Sequence, residues 1–335
     1  MPDFTPTQSL KFTTLDVFTS KPFTGNPLAV VTLPSQSAIS HEQKQFIARE
    51  FNYSETVFVS ASTTSANTQG TDTDATATKP EYDVAIFTTD AEIPFAGHPT
   101  IGTSHFLLSQ AAHATEAILN VKAGPIHARY DPQTGFASAR IPQAFHVHAQ
   151  ALAASALLRN QVSLAPYLKD IKETKTYPVV SIVKGMTFVL VDLASLEELE
   201  AVTLACTPIP EIQLDTHDGW DKSLVGLYFY VLQSQPSDSS QAHKFKLRTR
   251  MIEPELGVED PATGSAASTL ACYLATREQE RGSGGARYAF EMVQGVEMGR
   301  RSEIGLEVEV GKEGDVTEVV LSGTAVAVSE GTLRV

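Results

Sequence analysis

Two stretches of this chain share one grammar: a glycine, a polar residue, then an apolar helix-forming run. Phe95-Ala-Gly-His-Pro-Thr-Ile-Gly-Thr-Ser-His-Phe-Leu-Leu108 opens one such run, and Val258-Glu-Asp-Pro-Ala-Thr-Gly-Ser-Ala-Ala267 opens another that continues to Thr276. Aligning Gly97 with Gly264 sets His98 opposite Ser265, Phe106 opposite Tyr273 and Leu107 opposite Leu274. This weak internal repeat predicts two similar half-molecules, each built around a helix. A helix N-terminus presents unpaired N–H groups and partial positive charge, which suit an anionic ligand group. Gly264 lets such a ligand approach the backbone closely. Asp260 and Ser265 would hold polar groups of that ligand, or one of them would cap the helix, the commoner task for such residues. Taken alone, the turn leaves both readings open. Pro99 suits the first helical position, where no backbone N–H is needed. For His98 taken singly, a surface or satisfied structural histidine is the ordinary reading.

A length of 335 residues with 42% hydrophobic content fits two domains with sizeable cores. No apolar run is long enough to span a bilayer, and the first twenty residues lack a basic-then-apolar pattern, so a cytoplasmic location is expected. A net charge of −14 argues against nucleic acid or an anionic membrane as partner. Only Cys206 and Cys272 occur. Both read as buried small apolar residues of a reducing compartment. No Cys/His spacing reads as a metal site, and no metal is expected.

Along the first half, Lys11 to Phe18 and Pro27 to Thr32 are extended apolar segments. Ser40-His-Glu-Gln43 reads as a capping box for a helix to Phe51. Thr56 to Ser60 and Tyr82 to Phe87 are strand candidates. Residues 61–79, rich in Ser, Thr, Ala, Asp and Gly without apolar periodicity, read as a mobile loop insertion between paired strands. A Gly-Pro stretch within Val121-Lys-Ala-Gly-Pro125 marks a crossover. Beyond it, strands are expected at Val179 to Val183, Thr187 to Val191, Leu224 to Leu232, Phe245 to Met251 and Ile304 to Val310. Helices are expected at Ala149 to Arg159, Ser195 to Val202 and Gly264 to Glu278, with the alanine-rich 149–166 segment a candidate insertion. Many strands with one long helix per half make an α+β protein.

Five separated motifs, in order, carry a family resemblance. They are Asp16-Val-Phe-Thr-Ser-Lys-Pro-Phe-Thr-Gly-Asn-Pro-Leu-Ala-Val30, Asn52-Tyr-Ser-Glu-Thr-Val-Phe-Val59, the two turns above, and Gln294-Gly295 with Met298-Gly-Arg-Arg-Ser302. Over nearly its whole length the chain resembles the phenazine-biosynthesis-like (PhzF) proteins, relatives of diaminopimelate epimerase. The resemblance implies two pseudo-symmetric domains, each a curled, barrel-like sheet around a central helix, with the active cleft between them. It implies that the last strand, near Ala325 to Arg334, returns to the first domain. The expected domains are therefore 1–121 plus about 325–335, and 122–324. Homodimer formation is the expectation the family carries.

Without context Glu55 reads as a solvated strand-end residue. The resemblance makes it the catalytic acid/base, a role suited to a carboxyl whose pKa is raised by partial burial. His98 and Asp260 would then engage amino, hydroxyl or carboxylate groups of the substrate. Ser265 and the N–H groups of Gly264 and Ser265 would receive a carboxylate or enolate oxygen. Gly97 would let the facing turn approach as closely. Asn26, in a Gly-Asn-Pro turn, either satisfies local backbone or lines the cleft. Diaminopimelate epimerases use one cysteine per half as acid and base. Here Cys272 lies well inside its helix, which disfavours a two-thiol racemase. Two departures from many relatives stand out: Ala85-Ile-Phe-Thr-Thr89 replaces Arg-x-Phe-Thr-Pro, and Arg301 replaces a proline. The expected activity is a cofactor-free proton shift in a small unsaturated amino- or hydroxy-carboxylic acid, of the trans-2,3-dihydro-3-hydroxyanthranilate isomerase type. An amino- or hydroxy-acid epimerase and a non-catalytic small-molecule or protein-binding role are the alternatives.

Overall fold

The capping box expected at Ser40 forms. Its hydroxyl accepts from the Gln43 N–H at 3.1 Å, and the Gln43 side chain accepts from the Ser40 N–H at 2.8 Å. Helix α1 (His41–Phe51) follows and ends at Asn52, which takes a left-handed conformation (φ 52°). Asparagine tolerates that region better than most residues. The computed structural model describes residues 8–34, 39–62, 79–111, 114–168, 174–204, 207–221, 223–234, 243–280 and 286–335. Most of the predicted 61–79 insertion, and Cys206, lie outside them. Among the described residues, no helix is long and apolar enough to cross a membrane.

The chain divides into two units, residues 1–141 with 322–335, and residues 142–321. The first leaves its sheet later than the Gly-Pro stretch suggested. Gly124–Asp131 pairs antiparallel with Glu116–Val121, and Phe136–Arg140 pairs onto Gly124–Asp131. Lys122 and Ala123 therefore make a hairpin turn within the first unit, Gly124 and Pro125 open its second strand, and the crossover follows Ile141.

In the first unit, Ser9–Val17 pairs antiparallel with Asn26–Thr32 on one side and with Ala325–Arg334 on the other. α1 then carries the chain to Thr56–Ala61, parallel to Asn26–Thr32. Glu81–Phe87 returns antiparallel, and α2 (Gly97–Ser109) crosses to Glu116–Val121, which is parallel to Glu81–Phe87. α2 lies against strands from both ends of this series, so the sheet curls around it. Small residues permit the fit. A Cβ on Gly102 would come within 2.6 Å of Leu28 and 2.7 Å of Val17. Thr100 and Ser104 hydroxyls return to carbonyls one turn back at 2.7 Å, so these two polar groups are satisfied within the helix, whereas the buried Thr103 hydroxyl has no such partner among the described residues. α1 packs on the sheet's outer face through Ile47 and Ala48 against Leu10, Val31, Phe58 and Phe87.

The second unit retraces this path. Val179–Val183 and Met186–Asp192 form a hairpin, and α4 (Leu196–Ala201) precedes Leu224–Ser234, parallel to Met186–Asp192. His243–Glu253 returns antiparallel, and α5 (Gly264–Glu280) crosses to Ala286–Gln294, parallel to it, with Ser302–Val310 antiparallel beyond. α5 again meets strands from both ends of the series. Even the short strands before the two central helices correspond. Glu92–Ile93 pairs on Glu81–Phe87, and Val258–Asp260 pairs on His243–Glu253. The 149–166 segment is part of this unit's core. Its helix, α3 (Ala154–Asn160), does not begin at Ala149, because Leu152–Ala153 is extended and pairs with Thr176–Tyr177. Leu152, Ala156, Leu157 and Leu164 pack with Leu199, Val191 and Phe229.

Candidate active site

Gly97 and Gly264 are the first residues of α2 and α5, so the aligned glycines mark the same point in each unit. Neither has a positive φ. Both are buried at the helix start. Pro99 stands at the third helical position, two residues past the first position expected for it. The place is tolerable because the first four helical N–H groups have no intrahelical partner.

Glu55 directly follows the Asn52-Tyr53-Ser54 turn and precedes Thr56–Ala61. That turn aims its carboxylate at the start of α2. His98 Nδ1 lies 3.1 Å from Glu55 Oε2, and their side chains are only 4% and 17% exposed. The contact has ion-pair distance without hydrogen-bond alignment, and Oε2 has no aligned donor among the described residues. His98 Nε2 faces the Pro27 carbonyl at 3.3 Å. A carbonyl only accepts, so Nε2 carries a proton and Nδ1 is the variable position. Burial pushes the Glu55 pKa up, but the His98 charge, with close polar contacts from His98 and Ser54, outweighs it, and the net shift is downward. This corrects the expectation of a carboxyl raised by burial alone: the neighbouring cation decides.

Asn26, one residue from the Pro27 carbonyl, is buried and pairs with Val17 at the strand start. The loop before it is tightly held. Asp16 accepts the Phe23 N–H at 2.6 Å, and Phe18, Phe23 and Gly25 all have positive φ. A Cβ on Gly25 would stand 2.3 Å from the Val17 carbonyl, so glycine is required there.

At the start of α5 the polar groups are locked together. The Thr263 hydroxyl donates to Asp260 Oδ2 at 2.6 Å. The Gln294 amide donates to the Asp260 carbonyl at 2.8 Å and to Thr263 Oγ1 at 3.0 Å. Its oxygen accepts from the Tyr228 hydroxyl at 3.1 Å and from the Thr263 N–H at 3.4 Å. Tyr228 is fully buried, which pushes its pKa upward and keeps it a neutral donor. Gly295 (φ 72°) presses on the same turn, since a Cβ there would meet the Pro261 and Arg300 carbonyls at 2.6 Å. Ser265, second in α5, is half-buried.

A family model described as phenazine biosynthesis-like protein matches residues 15–331. The chain belongs to this PhzF family. One curated relative, the trans-2,3-dihydro-3-hydroxyanthranilate isomerase of Pseudomonas aeruginosa, is 30% identical over 96% of this chain and 98% of the relative. An uncharacterized isomerase of Mesorhizobium japonicum is 30% identical over 97% and 99%. The crystal structure of a Bacillus anthracis PhzF-family protein superposes with a TM-score of 0.69 at 20% identity, covering 98% of this chain and all of that one. A hydroxyproline epimerase from Agrobacterium vitis shares the fold at TM-score 0.53 and 13% identity, covering 98% and 93%. The PhzF fold and its likeness to epimerases are thus established for this chain.

Sequence reasoning missed Thr263 and Tyr228. Gln294 and Gly295 were visible only as a motif of the PhzF pattern, without a task. Their task is to hold the Asp260 turn. The signal for Tyr228 is absent from local sequence, because a tyrosine in an apolar strand reads as core. Arg301, a departure from the family pattern, forms an exposed ion pair with Glu303 at 3.1 Å. Cys272 is buried within α5, and burial drives its pKa up.

Proposed function

We propose that this PhzF-family chain is an isomerase that uses no cofactor and moves a proton within a small unsaturated carboxylic acid bearing an amino or hydroxyl group. The observation that carries the reading is the shielded Glu55 carboxylate beside His98 at the start of α2. As carboxylate, Glu55 takes a proton from one substrate carbon; as carboxylic acid, it returns a proton to another carbon of the conjugated system. No proton is gained or lost overall. His98 holds Glu55 ionised at rest and engages a polar group of the substrate. Asp260 binds an amine or hydroxyl, while Ser265 and the free N–H groups of Gly264 and Ser265 receive a carboxylate or enolate oxygen. Gly97 and Asn26 complete the substrate's surroundings at the α2 end.

A single acid/base is favoured over a two-base epimerase. In the second unit the residue matching Glu55, immediately before the strand parallel to the hairpin, is Ser223. Its hydroxyl is occupied by Thr187 at 2.7 Å. Cys272, buried with a raised pKa, offers no thiolate.

The test is to incubate wild type and Glu55→Gln with trans-2,3-dihydro-3-hydroxyanthranilate and a panel of small carboxylic acids in D2O. Isomer formation and deuterium content are followed together. Conversion that depends on Glu55 and moves a double bond supports the proposal. Inversion at one carbon without migration points to an epimerase. Equal binding by both proteins without turnover by either points to a binding role.

A further inference from the structure

We propose that His146, Asp215 and His217 form a binding site for one divalent transition-metal ion of the zinc class, within the second unit and separate from the residues assigned above. One ligand atom from each of the three lies within 4.8 Å of the others, the one such group among the described residues. Two imidazoles and one carboxylate are a donor set that suits zinc and its neighbours. Three protein ligands leave a fourth position for water.

The surroundings hold the ligands as a metal site needs. His146 sits on a short strand paired with Val179–Val183, opposite Ser181, and its ring stacks on Trp220 at 4.6 Å between centroids and 14° between planes. Asp215 Oδ1 accepts the Ala149 N–H at 3.2 Å, which leaves Oδ2 for a ligand; that oxygen now lies 2.7 Å from His146 Nε2. The Asp215 N–H donates to His148 Nδ1 at 3.0 Å. His148 Nε2 then donates to Ser181 Oγ at 2.9 Å. Such outer contacts orient metal ligands. His217 opens an exposed turn in which Asp218 (φ 54°) and Gly219 (φ 81°) fold the chain back to bury Trp220. With zinc bonds of about 2.0–2.2 Å, neighbouring ligand atoms sit on the order of 3.4 Å apart. A swing of the exposed His217 closes that gap.

His148 supports the site without joining it. Its Nδ1 accepts a backbone N–H and its Nε2 is committed to Ser181, so neither ring nitrogen is left for a metal. The Ser181–His148–Asp215 series is no nucleophilic triad. Asp215 Oδ2 stands 3.9 Å from an Nδ1 with no proton to give it, and Ser181 is buried. The legible trace in the sequence is two spaced pairs, His146-x-His148 and Asp215-x-His217. Neither matches a local metal motif, which is why none was expected.

The experiment uses the full chain without a histidine tag, stripped by chelator, then titrated with Zn2+ by calorimetry and with Co2+ by visible absorption. One equivalent per chain is expected, with a tetrahedral or five-coordinate cobalt spectrum and a rise in melting temperature on adding Zn2+. His217→Ala, at an exposed position, should retain the fold by circular dichroism and lose at least about tenfold in affinity. Asp215→Asn provides a second variant. Absence of stoichiometric binding by wild type overturns the proposal and leaves a histidine–aspartate pair stacked on tryptophan. Equal affinity in wild type and His217→Ala overturns it as well. Because binding is read directly, the outcome is independent of isomerase activity.

Discussion

The two units follow the same strand and helix path, yet the starts of their central helices carry opposite kinds of polar chemistry. At α2, Glu55 and His98 face one another at 3.1 Å, shielded from solvent, in an imperfectly aligned contact. At α5, Asp260, Thr263, Gln294 and Tyr228 form a connected set in which the Gln294 amide uses all four hydrogen-bonding positions. A repeated backbone needs only matching apolar faces and turns to persist, so its polar residues are free to diverge. The comparison teaches that one repeated backbone can hold a shielded carboxylate–imidazole contact at one helix start and a fully hydrogen-bonded turn at the other.

The largest effect should come from breaking the first side of that comparison. Glu55→Gln is expected to lower kcat by on the order of 10²–10⁴-fold, while Ser223→Ala, its counterpart, leaves kcat unchanged. Steady-state rates on the substrate identified above compare the two. Asp260→Asn removes a charged hydrogen-bond acceptor and should reduce kcat/KM by roughly 10–100-fold, with the loss expressed mainly in KM if Asp260 binds and does not react. An equal fall in kcat and kcat/KM would instead place Asp260 in the transition state.

Gln294→Ala tests the rigid side. It strands the buried Thr263 N–H, while the Tyr228 hydroxyl keeps Thr249 at 3.1 Å, and should cost about 1–3 kcal/mol in denaturant unfolding. A loss confined to catalysis, with no change in midpoint, would deny Gln294 its framing role. The smallest effect concerns pH. Because the Glu55 pKa is lowered in the folded protein, its contribution to stability is present above the unfolded value, about 4.3, and is lost as pH falls through the folded value. Wild-type kcat/KM should therefore keep its base form down to about pH 4.3. His98→Asn removes the opposing charge, leaves burial unbalanced, and should move the acid limb upward. An unmoved limb would show that His98 does not set the Glu55 charge.

How far the sequence reached differs between the two sites. The capping box at Ser40, the glycines that begin α2 and α5, and most strands were readable because each rests on neighbours in the chain. The helix expected from Ala149 failed for the opposite reason: Leu152–Ala153 finds a pairing partner at Thr176–Tyr177, and local alanine content cannot anticipate it. Likewise Glu55, His98, Asp260 and Ser265 could be named from motifs, but not the sign of the Glu55 shift, which depends on a histidine far along the chain. By itself the sequence determined the repeat, the α+β class, the family and the residues with chemical capacity, since these lie in composition, spacing and short-range backbone preference. Only the tertiary structure decided that His98 outweighs burial at Glu55, that Gln294 clamps the Asp260 turn, and that His146, Asp215 and His217 meet. Those outcomes depend on distances between residues remote in sequence, and electrostatic and hydrogen-bond energies are set by distance and alignment.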